Sequence, residues 1–146
     1  MTTTFYIPTR IISGAGSFDQ LGREAALLGS KALLVTGKRS MRASGLLDKA
    51  QRNLKKSGVE TVVFDRVEPN PRSLTVDEGA RLTREEQINI VVALGGGSAI
   101  DAAKGIVIAA AGGKSIWNYV TSREHVDRNK APALIAVPTV AASGSE

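Results

Sequence analysis

The stretch Val91-Val-Ala-Leu-Gly-Gly-Gly-Ser-Ala-Ile-Asp-Ala-Ala-Lys104 decides the fold. An apolar run too short to be a free-standing helix passes through three consecutive glycines into a helix-like run opened by Ser98. Glycines without side chains let main chain come close to a ligand. The helix that follows aims its unpaired N–H groups at the same spot, an arrangement suited to phosphate or pyrophosphate. A tight turn with close helix packing would also use glycine, but it rarely needs three.

Outward from this stretch, Lys31-Ala-Leu-Leu-Val-Thr36, Val59-Glu-Thr-Val-Val-Phe64 and Ile88-Asn-Ile-Val-Val-Ala-Leu94 read as strands buried on both faces, with a fourth at Ala133-Leu-Ile-Ala-Val137 ended by Pro138. Helical patterns alternate with them. One opens at Ser17-Phe-Asp-Gln20 with capping-box spacing, and another runs from Leu46 to Lys56 and is stopped by Gly58. A third covers Ser73 to Gln87 and a fourth Ser98 to Ala110. Apolar strands alternating with helices predict an α/β fold: a parallel, doubly wound, Rossmann-like sheet over residues 1–146, read as one domain. Phe5 to Ser13, with Pro8 in its middle, reads as an N-terminal edge hairpin.

In such a sheet ligands bind beyond the carboxyl ends of the strands, so the connecting loops carry the chemistry. The glycine loop offers Gly96, Gly97 and Ser98 as an anion cradle. Asp101 has two readings: it completes a capping box with Ser98, or it orients backbone or a substrate group beside the cradle. The first loop, Thr36-Gly-Lys-Arg-Ser40, contains no acid to hold the ribose 2′-hydroxyl of NAD; taken alone it reads as an ordinary basic surface turn, but beside a nucleotide cradle its Gly37, Lys38 and Ser40 favour the 2′-phosphate of NADP. In the second, Glu68-Pro-Asn-Pro71, the two prolines are expected to hold Asn70 extended. The fourth, from Pro138 to Ser145, is rich in small and hydroxylated residues, a composition that suits equally a segment lying against a nucleotide without blocking it and a disordered tail. Two familiar phosphate motifs fail: G-x-G-x-x-G would need glycine at Ile100, and a phosphate-binding loop ending at Gly113-Lys-Ser115 would need glycine at Ile108.

Other classes are excluded or disfavoured. Apolar residues make up 42% and charged residues 23%, both ordinary for a folded domain, so disorder is not expected. The net charge is +5, but the basic residues are scattered and not interleaved with the few aromatic ones, which argues against nucleic acid. There is no cysteine, and His125 is the only histidine, in a charged stretch, so no transition-metal site of the usual type is expected from this chain. No nucleophile–base pair stands out, and no catalytic residue is assigned. Trp117 and Tyr119 are expected to pack a loop onto the sheet. No leader is legible at the N-terminus and no apolar run is long enough to span a bilayer, which points to the cytoplasm.

Gly95-Gly-Gly-Ser-Ala-Ile-Asp-Ala-Ala-Lys104 with Pro138-Thr-Val-Ala-Ala-Ser-Gly-Ser-Glu146 resembles the iron-containing (group III) alcohol dehydrogenases, and Ile12-Ser-Gly-Ala-Gly16, Leu34-Val-Thr-Gly37 and Glu68-Pro-Asn-Pro71 follow in the family's order. The resemblance implies an N-terminal nucleotide-binding domain followed by an all-helical domain that is absent here, so that the chain stops before the metal-binding half. It implies that Gly96, Gly97 and Ser98 contact the coenzyme pyrophosphate, that Asp101 lies toward the nicotinamide, and that Asn70, Thr139 and Ser143 line the rest of the site. Gly37 stands where NAD-preferring members often carry Asp, which agrees with NADP over NAD. Val140, Ala142 and Ser143 depart from the family's commonest closing motif. The resemblance further implies hydride transfer between NAD(P)(H) and an alcohol or aldehyde, a divalent metal, Fe or Zn, held by the absent domain, and a homodimer. The fragment alone is expected to be inactive. A stand-alone nucleotide-binding module, or a relative of the glycerol dehydrogenase and dehydroquinate synthase type, is the competing reading.

Overall fold

The computed structural model describes residues 2–4, 8–122, 124–141 and 144–145. Four parallel strands, β1 (Lys31–Gly37), β2 (Glu60–Val67), β3 (Ile90–Gly95) and β4 (Ala133–Pro138), form one sheet in the order β2-β1-β3-β4. The two central strands behave as the sequence predicts: β3 is buried throughout and β1 is buried from Ala32 to Thr36. The outer two are half-exposed, because each has only one strand neighbour among the described residues. For residues 59–64 and 133–137 this corrects the expectation of burial on both faces.

Helices cover both faces. On one, α1 (Leu21–Ala26), α2 (Ser40–Ala43) and α3 (Leu46–Lys56) bury Leu21, Met41, Leu47 and Leu54 against Leu34, Val92 and Leu94. On the other, α4 (Ser73–Glu85) and α5 (Gly97–Gly112) bury Val76, Ile100 and Ile106 against Leu33, Val35, Val91 and Ala93. Alternate residues of the same strands feed the two cores, as the period of two requires. The end of α3 follows from its sequence. Gly58 takes φ 78°, its amide bonds Lys55 O at 3.0 Å, and the Val59 amide bonds Leu54 O at 3.0 Å. The left-handed residue is where glycine costs least.

Helices α4 and α5 are locked through glycine. A Cβ on Gly105 would lie 2.9 Å from Val76 Cγ1, and one on Gly79 would collide with Ile106. Each helix thus seats a branched side chain in the other's glycine notch. This fixes the start of α5 relative to the loop that precedes α4.

Several local expectations are corrected. Neither predicted capping box forms: the N-cap positions are Gly16 and Gly96, without a side-chain cap. Ser17–Gln20 is a 3-10 turn ahead of α1, and Ser98 lies inside α5, so its hydroxyl is free for another partner. Residues 8–13 of the expected edge hairpin carry no strand, while Phe5, Tyr6 and Ile7 lie outside the described residues. Trp117 and Tyr119 stand on a further helix, α6 (Ile116–Ser122), and do not pack on the sheet. Trp117 is 62% exposed, and the Tyr119 ring sits over Gly112, where a Cβ would collide with it. Asp77 of α4 anchors α6, accepting from Ser115 Oγ at 2.6 Å and from the Ile116 amide at 2.7 Å.

The Thr36 hydroxyl, at the end of β1, is buried without a hydrogen-bond partner. An unsatisfied buried hydroxyl costs on the order of 1–3 kcal/mol, and valine has nearly its shape. Thr36→Val is therefore expected to stabilise the protein by about 1 kcal/mol in urea unfolding.

Candidate functional site

The strand order places the switch point between β1 and β3. From β1 the chain crosses to β2 on one side; from β3 it continues to β4 on the other. Loops that leave neighbouring strands in opposite directions open a crevice between them. A cleft of about 560 Å³ lies there, lined by Gly37, Lys38, Arg39, Ser40 and Met41 from the first loop, by Val67, Glu68 and Pro69 from the second, and by Gly95 through Ala99 from the third. That volume is within the range of small-molecule sites.

Strand register decides which loops meet. Gly37 pairs with Val67 after an irregularity in the β1–β2 ladder, which sets Lys38 beside Glu68. Gly95 pairs with Pro138, and the Thr139 amide bonds Gly95 O at 3.0 Å, which brings the fourth loop against the third.

The three glycines have separate reasons. Gly95 takes φ 151°, a conformation that L side chains rarely adopt, and a Cβ there would lie 3.0 Å from Ala99 Cβ. Gly96 is extended, at φ −85° and ψ −170°, and a Cβ on it would lie 3.2 Å from Val140 Cγ2. Gly97 begins α5, so its amide and that of Ser98 precede any carbonyl of their own helix. The result is bare main chain at a helix start, inside a cleft. A diphosphate fits such a cradle: it needs close approach and N–H donors, and both are present.

Of the candidate residues, the cleft brings together Gly37, Lys38, Ser40, Gly96, Gly97 and Ser98. Asn70 joins at the rim, its amide donating to Ser98 Oγ at 3.4 Å. It is not extended as expected but has φ 54°, a region that asparagine tolerates better than most residues and that the following Pro71 disfavours. Asp101 is exposed on α5, and neither it nor Thr139 is among the residues lining the cleft. Ser143 lies outside the described residues.

Sequence reasoning missed Glu68. Its Oε1 accepts from Thr75 Oγ1 at 2.9 Å and from the Arg72 amide at 3.1 Å, and its Oε2 is 3.0 Å from Thr75 Oγ1. Its own main-chain amide, the Thr75 hydroxyl and the Arg72 amide together hold this carboxyl below the usual glutamate range against partial desolvation, and Lys38 adds to the effect. The stability this contributes is fully present above the ordinary glutamate pKa and is lost only as pH falls through the lowered one. Glu68 is thus an anion at neutral pH. A carboxylate followed seven residues later by a hydroxyl at the head of a helix was the available signal.

The family profile described as iron-containing alcohol dehydrogenase matches residues 8–146. The chain belongs to that family. It is 43% identical over 145 residues to the choline dehydrogenase of Bacillus subtilis, and 39% identical over 142 residues to NADH-dependent butanol dehydrogenase B of Clostridium acetobutylicum. These alignments take in 98% and 97% of this chain but 36% of each relative, so the chain spans about a third of the length of the curated relatives it matches. Among solved structures, the alcohol dehydrogenase ADH/D1 from an archaeal halo-thermophile of a Red Sea brine pool superposes with a TM-score of 0.87 at 38% identity, over 95% of this chain and 37% of that one. NADH-dependent butanol dehydrogenase A of Thermotoga maritima gives 0.88 at 30% identity, over 95% and 35%. Both matches confirm an α/β Rossmann-like fold for this part of the family. Among the described residues no helix is long and apolar enough to cross a membrane.

Proposed function

We propose that this chain is the coenzyme-binding part of an alcohol dehydrogenase that passes hydride between NADP(H) and a small alcohol or aldehyde. The observation that carries the reading is the bare cradle of Gly96, Gly97 and Ser98 at the start of α5, inside a cleft at the switch point of the sheet. The Gly97 and Ser98 amides would hold the diphosphate, and Ser40, Lys38 and Arg39 would surround the adenosine ribose. Nicotinamide, when bound, supplies the hydride acceptor or donor. This chain's residues bind it, fix its orientation and give the cleft its shape.

The preference for NADP rests on the first loop, which sets Lys38, Arg39 and Ser40 along one wall and offers no acid. An acid does enter the cleft, Glu68 from the second loop, but Thr75 and the Arg72 amide engage its carboxylate. Among the described residues no three of His, Cys, Asp or Glu come together.

Fluorescence titration of the full-length protein with NADPH and with NADH tests the reading. NADPH is expected to bind about tenfold more tightly, a difference of about 1.4 kcal/mol. No signal from either nucleotide at millimolar concentration would end the proposal.

A further inference from the structure

We infer that Glu68 and Thr75 are positioning residues of the coenzyme cleft, clasping the second loop so that the Asn70 amide stays on Ser98 Oγ. The inference rests on the coenzyme reading of the cleft and deepens it. The chain leaves β2 at Val67 and enters α4 at Ser73, and the loop between is bridged by one side chain. The Glu68 carboxylate reaches forward to the Arg72 amide at 3.1 Å and to Thr75 Oγ1 at 2.9 Å, tying both ends of the loop together. Between those ends Asn70 sits at φ 54° immediately before Pro71. A residue before proline avoids this conformation when free, so the surroundings must impose it.

Two contacts impose it. One is the clasp; the other is the hydrogen bond from the Asn70 amide to Ser98 Oγ, 3.4 Å long. That second contact is on the cradle itself, one residue past Gly97. The glycine notches between α4 and α5 hold the two helices at one separation, so the loop's remaining freedom is its own conformation. Released from Glu68, the loop is expected to leave its unfavourable turn and take Asn70 away from Ser98. The cradle would then have to be re-formed each time coenzyme binds, and that ordering cost weakens affinity.

The test is coenzyme affinity in the full-length protein, followed by fluorescence. Thr75→Ala is expected to raise Kd about five- to tenfold for both NADPH and NADH, because the clasp acts on the diphosphate side and not at the 2′ position. Thr75→Ser keeps the hydroxyl and should stay within about twofold of the parent. In a Ser98→Ala background, Thr75→Ala should add nothing, since its route to the cradle is already cut. Simple destabilisation would not produce that non-additivity. If Thr75→Ala does not fold, Glu68→Gln carries the same comparison with NADH, which lacks the 2′-phosphate that Lys38 beside Glu68 would meet. The glutamine amide keeps one acceptor oxygen but loses the charge, and it should raise Kd for NADH about threefold. Parent-like affinity in a folded Thr75→Ala protein, or for NADH in a folded Glu68→Gln one, or a full loss that persists in the Ser98→Ala background, overturns the inference. Failure of the parent to bind either nucleotide would instead overturn the coenzyme reading beneath it.

Discussion

Gly96→Val is expected to raise the Kd for NADPH about a hundredfold or more while leaving the protein folded. The two halves of that expectation have different causes. Folding survives because Gly96 is extended, at φ −85° and ψ −170°, where any L residue is at ease. The nearest atom to a new Cβ is Val140 Cγ2 at 3.2 Å, tighter than normal contact, but Val140 is 61% exposed and can give way. Binding fails because two methyl groups would stand beside the first amides of α5, where the diphosphate must approach the main chain. Losing two charge-assisted hydrogen bonds costs about 3 kcal/mol or more, which is roughly a hundredfold in Kd. Gly95 would be a poorer choice for the test, because its φ of 151° would confound lost binding with strained backbone. A melting temperature within about 3 °C of the parent's would show an intact fold. An affinity within threefold of the parent's, estimated from those hydrogen-bond energies, would mean that the diphosphate is held elsewhere.

The glycine loop was legible because its signal is local. Apolar Val91 to Leu94, three glycines and a helix start are contiguous, and the central strands are apolar from Ala32 to Val35 and from Ile90 to Leu94. Helix α3 could be read to the residue, since an amphipathic run followed by Gly58 has few other outcomes. The failures occur where one residue type serves two purposes. Ser17 and Ser98 have capping-box spacing, yet glycine takes both N-cap positions, leaving Ser98 to bond Asn70 from another loop. Proline rules favour an extended Asn70; a carboxylate and a hydroxyl that periodicity cannot see hold it otherwise. Glu68 was invisible as a cleft residue because its place depends on the β1–β2 register, which pairs Gly37 with Val67 across 30 residues of chain. Helix α6 is short and has no buried residue, so no apolar stripe announces it.

Gly37→Asp is expected to reverse the nucleotide preference, changing the NADPH-to-NADH affinity ratio by about a hundredfold. The site has room for the change: a Cβ on Gly37 would lie 3.6 Å from Val67 O, which is ordinary contact. The new carboxylate would stand at the end of β1, next to Lys38 and Arg39, in the wall assigned to the adenosine ribose. Two unit charges about 4 Å apart at a partly screened surface interact by up to about 4 kcal/mol, so repulsion of a 2′-phosphate alone can supply a hundredfold loss. Partial neutralisation of the aspartate by Lys38 lowers this figure, while acceptance of a hydrogen bond from the 2′-hydroxyl of NADH restores part of the ratio. Lys38→Ala separates the two contributions. It should weaken NADPH about tenfold and leave NADH unchanged, because only the phosphate needs the cation. If Gly37→Asp leaves the ratio within about threefold of the parent's, an effect smaller than a single charge contact, the first loop does not read the 2′ position and the NADP assignment falls. The diphosphate cradle of Gly96 to Ser98 would be untouched by that result, because it is built from main-chain amides on the other strand of the switch point.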